Sequence, residues 1–306
     1  MSDHGATSYS VIDLLHLGRP ESVAACVLDT TDGPLVVDPG PAVTLPRLRA
    51  GLEAAGVSPA DLSALLLTHI HLDHAGAAGT LARDNPRLKV FVHARGAPHV
   101  VDPSRLLASA TRLYGERMAE LWGEVAPVPE AQLSVLEGGE RLNLGGRTIN
   151  VCYTPGHAWH HVSYFDSGSG VAFVGDTAGL RSPGLPCVLP ATPPPDFDLE
   201  SWLDSIERIR RWHPREVVLT HYGPAREPDR HFDELAAGLR AWADYARDSL
   251  SLPGTDAERI EWFTRRLEEW IDGRVPPERA QRYLATAGPE ACWRGLARYW
   301  RGRETG

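Results

Sequence analysis

Residues 65–79 read LLLTHIHLDHAGAAG, and this stretch concentrates side chains that bind metal ions. Directly after an apolar run it places three histidines and one aspartate within six positions: His69, His71, Asp73 and His74. Side chains two residues apart in an extended segment point the same way, so His69 and His71 can reach one ion. Asp73 and His74 lie at the predicted start of the next helix and point elsewhere. The spacing therefore predicts a metal site, with the second pair available to a second ion.

Three more residues with metal-binding side chains follow predicted apolar strands: His157, Asp176 and His221. Ligands at the carboxyl ends of neighbouring strands converge in one crevice of an α/β sheet. Each of the three alone is more often an ordinary hydrogen-bonded histidine or a turn aspartate. Together with the first stretch they form a set of five histidines and two aspartates. Such a set suits zinc, iron or manganese, and it is too large for a single tetrahedral zinc ion.

The motifs HIHLDH, TPGH, GDTAG and LTHYG occur in this order, and together they resemble the metallo-β-lactamase-fold hydrolase superfamily over about residues 9–225. The resemblance implies the α+β fold of that superfamily, a four-layer αββα sandwich. It also implies two divalent metal ions, with zinc expected and iron or manganese as alternatives. The implied ligands are His69, His71 and His157 for the first ion, Asp73, His74 and His221 for the second, and Asp176 as a bridge between them.

Two further residues are expected to support the ligands through hydrogen bonds. The segment VVDPG resembles an early strand motif of the superfamily, in which Asp38 would stand behind the ligands, although DPG is also common in turns. His161 in GHAWHH matches the recurrent second histidine of the pattern TPGHTPGH, and we interpret it as a structural hydrogen-bonding residue. Trp159 and His160 replace the commoner proline and glycine of that pattern, and both are candidates for the pocket wall.

The resemblance implies hydrolysis without a serine or cysteine nucleophile. Two cations close together lower the pKa of a shared water, and the resulting hydroxide attacks an electrophilic carbonyl. Asp73 and the bridging Asp176 are the expected catalytic residues, because their carboxylates can orient the hydroxide. The source of the proton for the leaving group stays open between Asp73 and a metal-bound water.

A small ester, lactone or thioester is the expected substrate. The net charge of -9 disfavours a nucleic-acid partner, and the motif loops lack the basic cluster that a phosphodiester usually needs. True β-lactamases are disfavoured because their sites lack a counterpart of Asp176. Gly179 stands where the best-known lactonases of the superfamily carry a tyrosine. A phosphodiesterase is the first alternative, and a mononuclear-iron enzyme similar to sulfur dioxygenases and a non-catalytic binding protein are the others.

The elements that must position these residues alternate between strands and helices, which predicts a layered fold. Residues 1–225 are expected to form the hydrolase domain, with a helical insertion at about 96–130. Residues 226–306 are expected to form a helical extension whose five tryptophans pack its helices together, beside the active-site face or in a homodimer contact. The insertion, the proline-rich loop at 180–197 and the extension would roof the substrate pocket. Its candidate lining residues, which can equally pack the insertion onto the core, are Tyr114, Trp122, Trp159, Leu180, Arg181 and Leu185.

The composition is that of an ordinary globular protein, with 306 residues of which 42% are hydrophobic and 23% charged. The four cysteines lie far apart without a C-x-x-C pair, which disfavours a disulfide framework or a thiolate zinc site. No signal peptide and no membrane helix are visible in the sequence. We therefore expect a cytoplasmic protein that acts on a small molecule, without a nucleic-acid or membrane partner.

Overall fold

The computed structural model describes residues 9–181 and 187–304, and two six-stranded sheets form its centre. The strands of the first sheet lie side by side in chain order: β1 (Ser10–Asp13), β2 (Ala24–Leu28), β3 (Leu35–Val37), β4 (Ala64–Leu66), β5 (Lys89–His93) and β6 (Leu133–Leu136). Strands β1 to β3 are antiparallel, whereas β3 to β6 run parallel. The turn TDGP joins β2 to β3 in the hairpin that its residues favour.

The second sheet is mostly antiparallel. The remaining strands are β7 (Arg141–Leu144), β8 (Arg147–Tyr153), β9 (Val162–Asp166), β10 (Val171–Phe173), β11 (Leu180–Arg181), β12 (Val188–Leu189), β13 (Glu216–Leu219) and β14 (Gly223–Ala225). Six of them form the second sheet in the order β14-β13-β10-β9-β8-β7, and β11 pairs only with β12. Strands β10 and β13 are parallel neighbours, so both end at the same edge of the sheet.

The helices fall into three groups along the described chain. The first group consists of α1 (Leu45–Ala54), α2 (Leu72–Ala75) and α3 (Ala78–Asp84). The second, within the predicted insertion, consists of α4 (Ala97–Val101), α5 (Ser104–Tyr114) and α6 (Met118–Trp122). The third consists of α7 (Leu199–Arg210), α8 (Pro228–Leu250), α9 (Asp256–Asp272), α10 (Pro277–Ala287) and α11 (Pro289–Glu304).

The two sheets pack face to face through a shared apolar layer. Leu66 and Phe91 of the first sheet lie in the same buried cluster as Tyr164 and Phe173 of the second. The outer face of the first sheet is covered by α1, α3 and α4, and the outer face of the second by α7 to α11. Burial on both faces explains why β2 and β4 are continuous apolar runs without alternation. The layers are helix, sheet, sheet and helix, which confirms the predicted αββα sandwich.

The insertion packs onto a segment that carries predicted ligands. Helices α5 and α6 contribute Ala110, Leu121 and Trp122 to a small apolar cluster that also contains Leu72. Leu72 is the first residue of α2, the short helix that follows β4 and contains the predicted ligands Asp73 and His74. The insertion therefore lies directly over one side of the candidate metal centre.

The C-terminal helices α8 to α11 share one apolar core with α7 and the second sheet. Trp242, Trp270 and Trp293 are buried in this core, while Trp262 and Trp300 pack against it, so the tryptophans hold the helices together as predicted. The extension therefore has no separate core of its own. Among the described helices, none combines the length and the apolar character needed to cross a bilayer.

Two helix starts show how the sequence sets these boundaries. At the start of α7, Asp198 accepts a hydrogen bond from the backbone N–H of Ser201 at 2.8 Å. At the start of α9, Thr255 and Glu258 form a reciprocal capping box. Each cap satisfies backbone N–H groups that have no partner within the helix, and this fixes where α7 and α9 begin.

Candidate metal centre

The predicted metal ligands come together at one end of the sandwich, where strands of both sheets finish. His69 and His71 follow β4 of the first sheet. Asp176 follows β10 and His221 follows β13, which run parallel in the second sheet. His157 lies in the loop between β8 and β9. These side chains therefore converge although they are far apart in the sequence.

The first group consists of three imidazoles, those of His69, His71 and His157. Nδ1 of His71 lies 2.9 Å from Nε2 of His69 and 3.0 Å from Nε2 of His157. Zinc binds imidazole nitrogen at about 2.0–2.1 Å, so nitrogens that share one tetrahedral ion are about 3.3 Å apart. The observed separations are close to this value. The group therefore offers three nitrogen donors to one ion.

The second group consists of Asp73, His74 and His221, whose donor atoms lie within 4.8 Å of one another. Nε2 of His221 lies 3.2 Å from Oδ2 of Asp73, and Nε2 of His74 lies 3.9 Å from the same oxygen. His74 is fully buried, whereas the side chain of Asp73 is 25% exposed. One carboxylate and two imidazoles suit a divalent ion of zinc, iron or manganese.

Asp176 stands between the two groups. Its Oδ2 lies 3.4 Å from Nε2 of His157 in the first group. Its Oδ1 lies 3.2 Å from Nε2 of His74 and 3.7 Å from Nε2 of His221 in the second. Each carboxylate oxygen therefore faces a different group, as a ligand that bridges two ions must.

Two buried atoms of this cluster have no hydrogen-bond partner among the described residues, namely Nε2 of His74 and Oδ1 of Asp176. They lie 3.2 Å apart but not at hydrogen-bonding angles. A buried polar atom without a partner costs about 1–3 kcal/mol, so the fold would not be expected to leave both in this state. A cation at the second group would be coordinated by both atoms. The residues present therefore fit two divalent ions.

Three of the ligand candidates are held by a hydrogen bond on the ring nitrogen that faces away from the centre. Nδ1 of His74, of His221 and of His157 lies 2.7–2.8 Å from an oxygen atom. These oxygens belong, in the same order, to the carboxylate of Asp38, the backbone of Ser22 and the backbone of Ala191. Because the oxygens accept, each Nδ1 donates its proton outward. Such partners fix the ring orientation and the tautomer of a metal-binding histidine.

Asp38 is fully buried and connects the two sheets behind the centre. Its Oδ1 accepts the backbone N–H of Thr68 at 2.8 Å, and its Oδ2 accepts the hydroxyls of Thr68 at 2.7 Å and Thr220 at 2.8 Å. Each threonine belongs to a segment LTH that ends a strand and supplies a ligand candidate. These threonines belong to the supports that the motifs do not predict, although the repeated Thr-His pair is a signal for them.

His161 holds the turn that carries Asp176. Its Nε2 accepts the backbone N–H of Asp176 at 3.2 Å, so the proton of the ring lies on Nδ1. Nδ1 in turn lies 3.0 Å from the hydroxyl of Thr154 and 3.1 Å from that of Thr177. Burial, with the neighbouring His157, lowers the pKa of His161 well below its usual value. Both ring nitrogens are therefore engaged in hydrogen bonds to protein groups.

The two groups differ in charge. Burial, with the neighbouring His157, lowers the pKa of His71 to about 3. Burial also acts to lower the pKa of His74, but three carboxylates, led by that of Asp176, outweigh it and raise this pKa. Burial acts to raise the pKa of Asp176, but neighbouring histidines, led by His74, hold it well below its usual value. Without an ion, burial thus favours the neutral form of His71 in the first group, whereas nearby carboxylates favour the protonated form of His74 in the second.

On the side of the second group, the insertion contributes Tyr114 and Trp122. Tyr114 is 39% exposed and packs edge to face on Trp122 at a ring distance of 5.2 Å. Burial and the charge of Asp73 raise the pKa of Tyr114 to about 12. Trp122 is buried and stacks on His16 at 5.5 Å. The two candidates therefore form an aromatic wall that includes His16, a residue from the loop after β1.

On the side of the first group lie Trp159 and His160. His160 packs edge to face on His71 at a ring distance of 5.5 Å, and Trp159 is 37% exposed. The guanidinium of Arg95 lies over the indole of Trp159, 6.0 Å from the ring centre. Arg95 belongs to the turn after β5 and to none of the motifs, which is why the sequence did not indicate it.

The structure describes two of the other pocket candidates, Leu180 and Arg181, and their side chains have no described contact with the metal groups, although the backbone N–H of Arg181 donates to the backbone oxygen of His221 at 2.7 Å. Leu180 is buried in the core that β11 shares with the C-terminal helices. Arg181 donates to the backbone oxygen of Pro224 at 2.5 Å. Leu185 lies outside the described residues. Arg181 was the one cation close to a ligand in sequence, and in the structure its guanidinium bonds to the backbone of strand β14.

An αββα sandwich with histidines and aspartates at the ends of its strands defines a class of metal-binding hydrolases. The chain belongs to the metallo-beta-lactamase superfamily, because the sequence profile of that family matches residues 18–221. Within the fold of this superfamily it carries a His/Asp cluster suited to two metal ions.

Relatives of known sequence or structure share this framework. The metallo-beta-lactamase fold-containing protein ST1585 of Sulfurisphaera tokodaii is 30% identical over 165 residues, 53% of this chain and 61% of that protein. The hydroxyacylglutathione hydrolase of Aeromonas hydrophila subsp. hydrophila is 32% identical over 208 residues, 67% of this chain and 66% of that protein. Each match thus spans less than two thirds of the relative's length. The metallo-beta-lactamase family protein TTHA1429 from Thermus thermophilus superposes with a TM-score of 0.73 at 22% identity, over 97% of this chain and 94% of that chain.

Proposed function

We propose that the protein is a dinuclear metal-dependent hydrolase that cleaves a small carbonyl ester, lactone or thioester. The observation that carries the proposal is the position of Asp176, with one oxygen 3.4 Å from the first group and the other 3.2 Å from the second. Zinc is the proposed metal, with iron and manganese as alternatives, because the donors are imidazoles and carboxylates without thiolate. The proposed ligands are His69, His71 and His157 for the first ion, Asp73, His74 and His221 for the second, and Asp176 for both.

Two divalent ions, when bound here, would lower the pKa of water and would act as Lewis acids towards the scissile carbonyl. The side chains of the protein orient the reacting groups. Asp176 is locked by its turn and by His161, so its carboxylate presents a fixed acceptor between the two groups. Asp73 is the more exposed carboxylate, and we assign to it the transfer of a proton from the attacking water to the leaving group.

Of the three proposed substrate classes, we favour a thioester. The Aeromonas hydrophila relative is named for the hydrolysis of an acylated glutathione, and such a molecule is a thioester. The walls of the site support an acyl substrate, because Tyr114 and Trp159 expose aromatic surface on either side of the centre. Arg95, next to Trp159, offers a cation for a carboxylate on the leaving thiol.

The experiment compares kcat/KM for an acylated glutathione, an aliphatic lactone, an aryl ester and bis-p-nitrophenyl phosphate on one metal-replete preparation. We expect a carbonyl substrate to exceed the phosphodiester and a chelator to abolish the activity. Asp176→Asn should abolish it as well, while the matched variant of an exposed carboxylate, Asp61→Asn, should retain it. A clear preference for the phosphodiester would establish a phosphodiesterase instead, and a requirement for one iron ion and dioxygen would establish a dioxygenase.

A further inference from the structure

One short segment connects the C-terminal extension to the first group of metal-ligand candidates. We call residues 190–194, with the sequence PATPP, the support loop. The backbone oxygen of Ala191 in this loop lies 2.8 Å from Nδ1 of His157 and accepts its proton. The ring therefore keeps the lone pair of Nε2 for the centre. The position of a single backbone carbonyl thus sets the orientation of one predicted metal ligand.

Little within the support loop can fix its position. Three of its five residues are prolines, which have no N–H to donate. Its described contacts run instead to two helices of the extension. A Cβ added to Gly238 of α8 would lie 3.3 Å from the ring of Pro190. On α11, the backbone oxygen of Cys292 accepts the hydroxyl of Thr192 at 3.3 Å, and Thr192 is completely buried.

Gly295 makes the tightest of these contacts. A Cβ at this position of α11 would lie 2.0 Å from the carbonyl oxygen of Thr192 and 2.9 Å from the carbonyl carbon of Pro193. Such distances are far inside van der Waals contact, so α11 can lie on the support loop only because residue 295 is glycine. A larger residue has to displace the helix or the loop, and Ala191 is bonded directly to Thr192.

The second metal group is held differently. The Nδ1 atoms of His74 and His221 bond to Asp38 and to the backbone of Ser22, both in the hydrolase domain. Helix α8 does contact the turn of the bridging aspartate, because Nε2 of His231 donates to the backbone oxygen of Ala178. The described contacts of α11 with the support loop, in contrast, lead to His157 alone. A substitution that displaces α11 should therefore weaken metal binding at the first group and leave metal binding at the second group unchanged.

We propose that α11 is a positioning element for the first metal group, in which Gly295 and Thr192 hold the carbonyl of Ala191 against His157. This inference rests on the ligand roles proposed above. Loss of a hydrogen-bond partner behind a metal-binding histidine weakens metal affinity about 10–100-fold. Displacing the support loop should have an effect of this size on the first ion only.

The test titrates the metal-free full chain with Co²⁺ and follows binding by calorimetry and by the visible absorption of cobalt. The wild type should bind two equivalents. In Gly295→Ala one equivalent should bind about 10–100-fold more weakly, with an altered absorption spectrum, while the other binds within twofold of the wild type. Gly302→Ala is the matched control, because a Cβ at this position of the same helix meets no atom of the described residues within 4 Å.

A second pair of variants decides the question if Gly295→Ala does not fold. Thr192→Val removes the hydroxyl without changing the size of the side chain, and Thr192→Ser retains it. We expect Thr192→Val to weaken the binding of the first ion and Thr192→Ser to bind it as tightly as the wild type. If Thr192→Val and Gly295→Ala each fold and keep both metal affinities, the inference is overturned. Equal weakening of the two metal affinities would overturn it as well.

Failure of the proposed function gives a different result, namely a wild type that binds no metal ion. The positioning role is then decided by NMR of the metal-free protein, labelled with ¹⁵N at histidine. The hydrogen-bonded Nδ1–H of His157 should give a resonance in the wild type and in Gly302→Ala, and it should be lost or shifted in Gly295→Ala. An unchanged resonance in Gly295→Ala would overturn the inference without reference to any metal.

Discussion

Nδ1 of His74 lies 2.8 Å from Oδ2 of Asp38, and both side chains are fully buried. The same oxygen accepts the hydroxyls of Thr68 and Thr220, which end strands in different sheets. One carboxylate thus ties together the two strand ends that supply ligand candidates to both metal groups. Its position makes the alignment of the centre depend on a residue that need not touch an ion.

Asp38→Asn should therefore weaken both the fold and the metal centre. The asparagine amide presents N–H groups to an environment of donors, and a buried donor without an acceptor costs about 1–3 kcal/mol. Denaturant unfolding of the metal-free protein should show a loss of this size, and metal analysis should show less than two equivalents. The exposed control Asp61→Asn should change neither quantity. Unchanged stability and metal content in Asp38→Asn would rule out this role.

Asp176→Ala should abolish hydrolysis while the chain still folds. The substitution removes an oxygen from each metal group, so the loss of metal affinity should exceed the about 10–100-fold typical of residues behind the ligands. The strands that flank Asp176 are buried by their own apolar side chains and should not depend on it. Far-ultraviolet circular dichroism checks the fold, and kcat/KM on the best substrate checks the activity. Near-normal turnover would show that Asp176 has been assigned wrongly.

The ligand candidates could be predicted from the sequence because each one lies in a short motif that can be recognised without the tertiary fold. His69, His71, Asp73 and His74 lie within six positions, and His157 and the others directly follow apolar strands. Strand ends are also where a layered sheet fold converges, so the pattern predicts both the architecture and the place of the centre. The αββα sandwich was predicted from the resemblance of four motifs to the superfamily. The pattern of a single strand or helix could not have predicted it.

The supports of the ligands could not be predicted in the same way. The acceptors for His157 and His221 are backbone oxygens, which every residue possesses, so the identities of Ala191 and Ser22 carry no information. The stacking of Trp122 on His16 joins the insertion to a distant loop and depends on the tertiary fold. Proximity in sequence was misleading for the side chain of Arg181, which bonds to the backbone of strand β14 in the second sheet.

Tyr114→Phe should lower kcat/KM without affecting stability. Burial and the charge of Asp73 raise the pKa of Tyr114 to about 12, so its phenol stays protonated at neutral pH and able to donate a hydrogen bond. A hydrogen bond between neutral groups contributes about 0.5–1.5 kcal/mol, which corresponds to a loss of about 2- to 12-fold. The neighbouring exposed Leu113 provides the control, because Leu113→Ala should leave kcat/KM unchanged. Equal activity of Tyr114→Phe and wild type would exclude a role of the hydroxyl.

The buried His231 should make the protein less stable in mild acid. Burial, together with the charge of Arg181, lowers its pKa from 6.5 to about 4, although its hydrogen bond to Ala178 opposes the shift. Above pH 6.5 the ring is neutral in both the folded and the unfolded chain. As the pH falls from 6.5 towards 4, only the unfolded chain takes up the proton, and the free energy of unfolding should fall by about 1.4 kcal/mol per pH unit.

His231→Gln removes this titration and keeps an N–H donor for Ala178. Its free energy of unfolding, measured with denaturant at pH 7 and at pH 5, should fall less than that of the wild type by about 2 kcal/mol. Other buried histidines contribute equally to both proteins, so the difference isolates residue 231. The exposed His213, whose φ of 48° an asparagine tolerates, gives the control His213→Asn. Identical pH dependence in His231→Gln and wild type would contradict the prediction.

A fragment of residues 1–225 should aggregate. Helices α8 to α11 cover the same apolar core as α7 and β13, in which Trp202 of the fragment and Trp242 of the extension are both fully buried. Each large apolar side chain moved from this core into water costs about 1.5–3 kcal/mol, and an uncovered apolar face promotes association. Size-exclusion chromatography with light scattering measures the outcome. A full-length dimer with a monodisperse, active monomeric fragment would show instead that the extension serves as a homodimer contact.

The point variant Trp242→Ala should lose more stability than Trp262→Ala at the edge of the core, because Trp242 is completely enclosed whereas Trp262 is only partly buried.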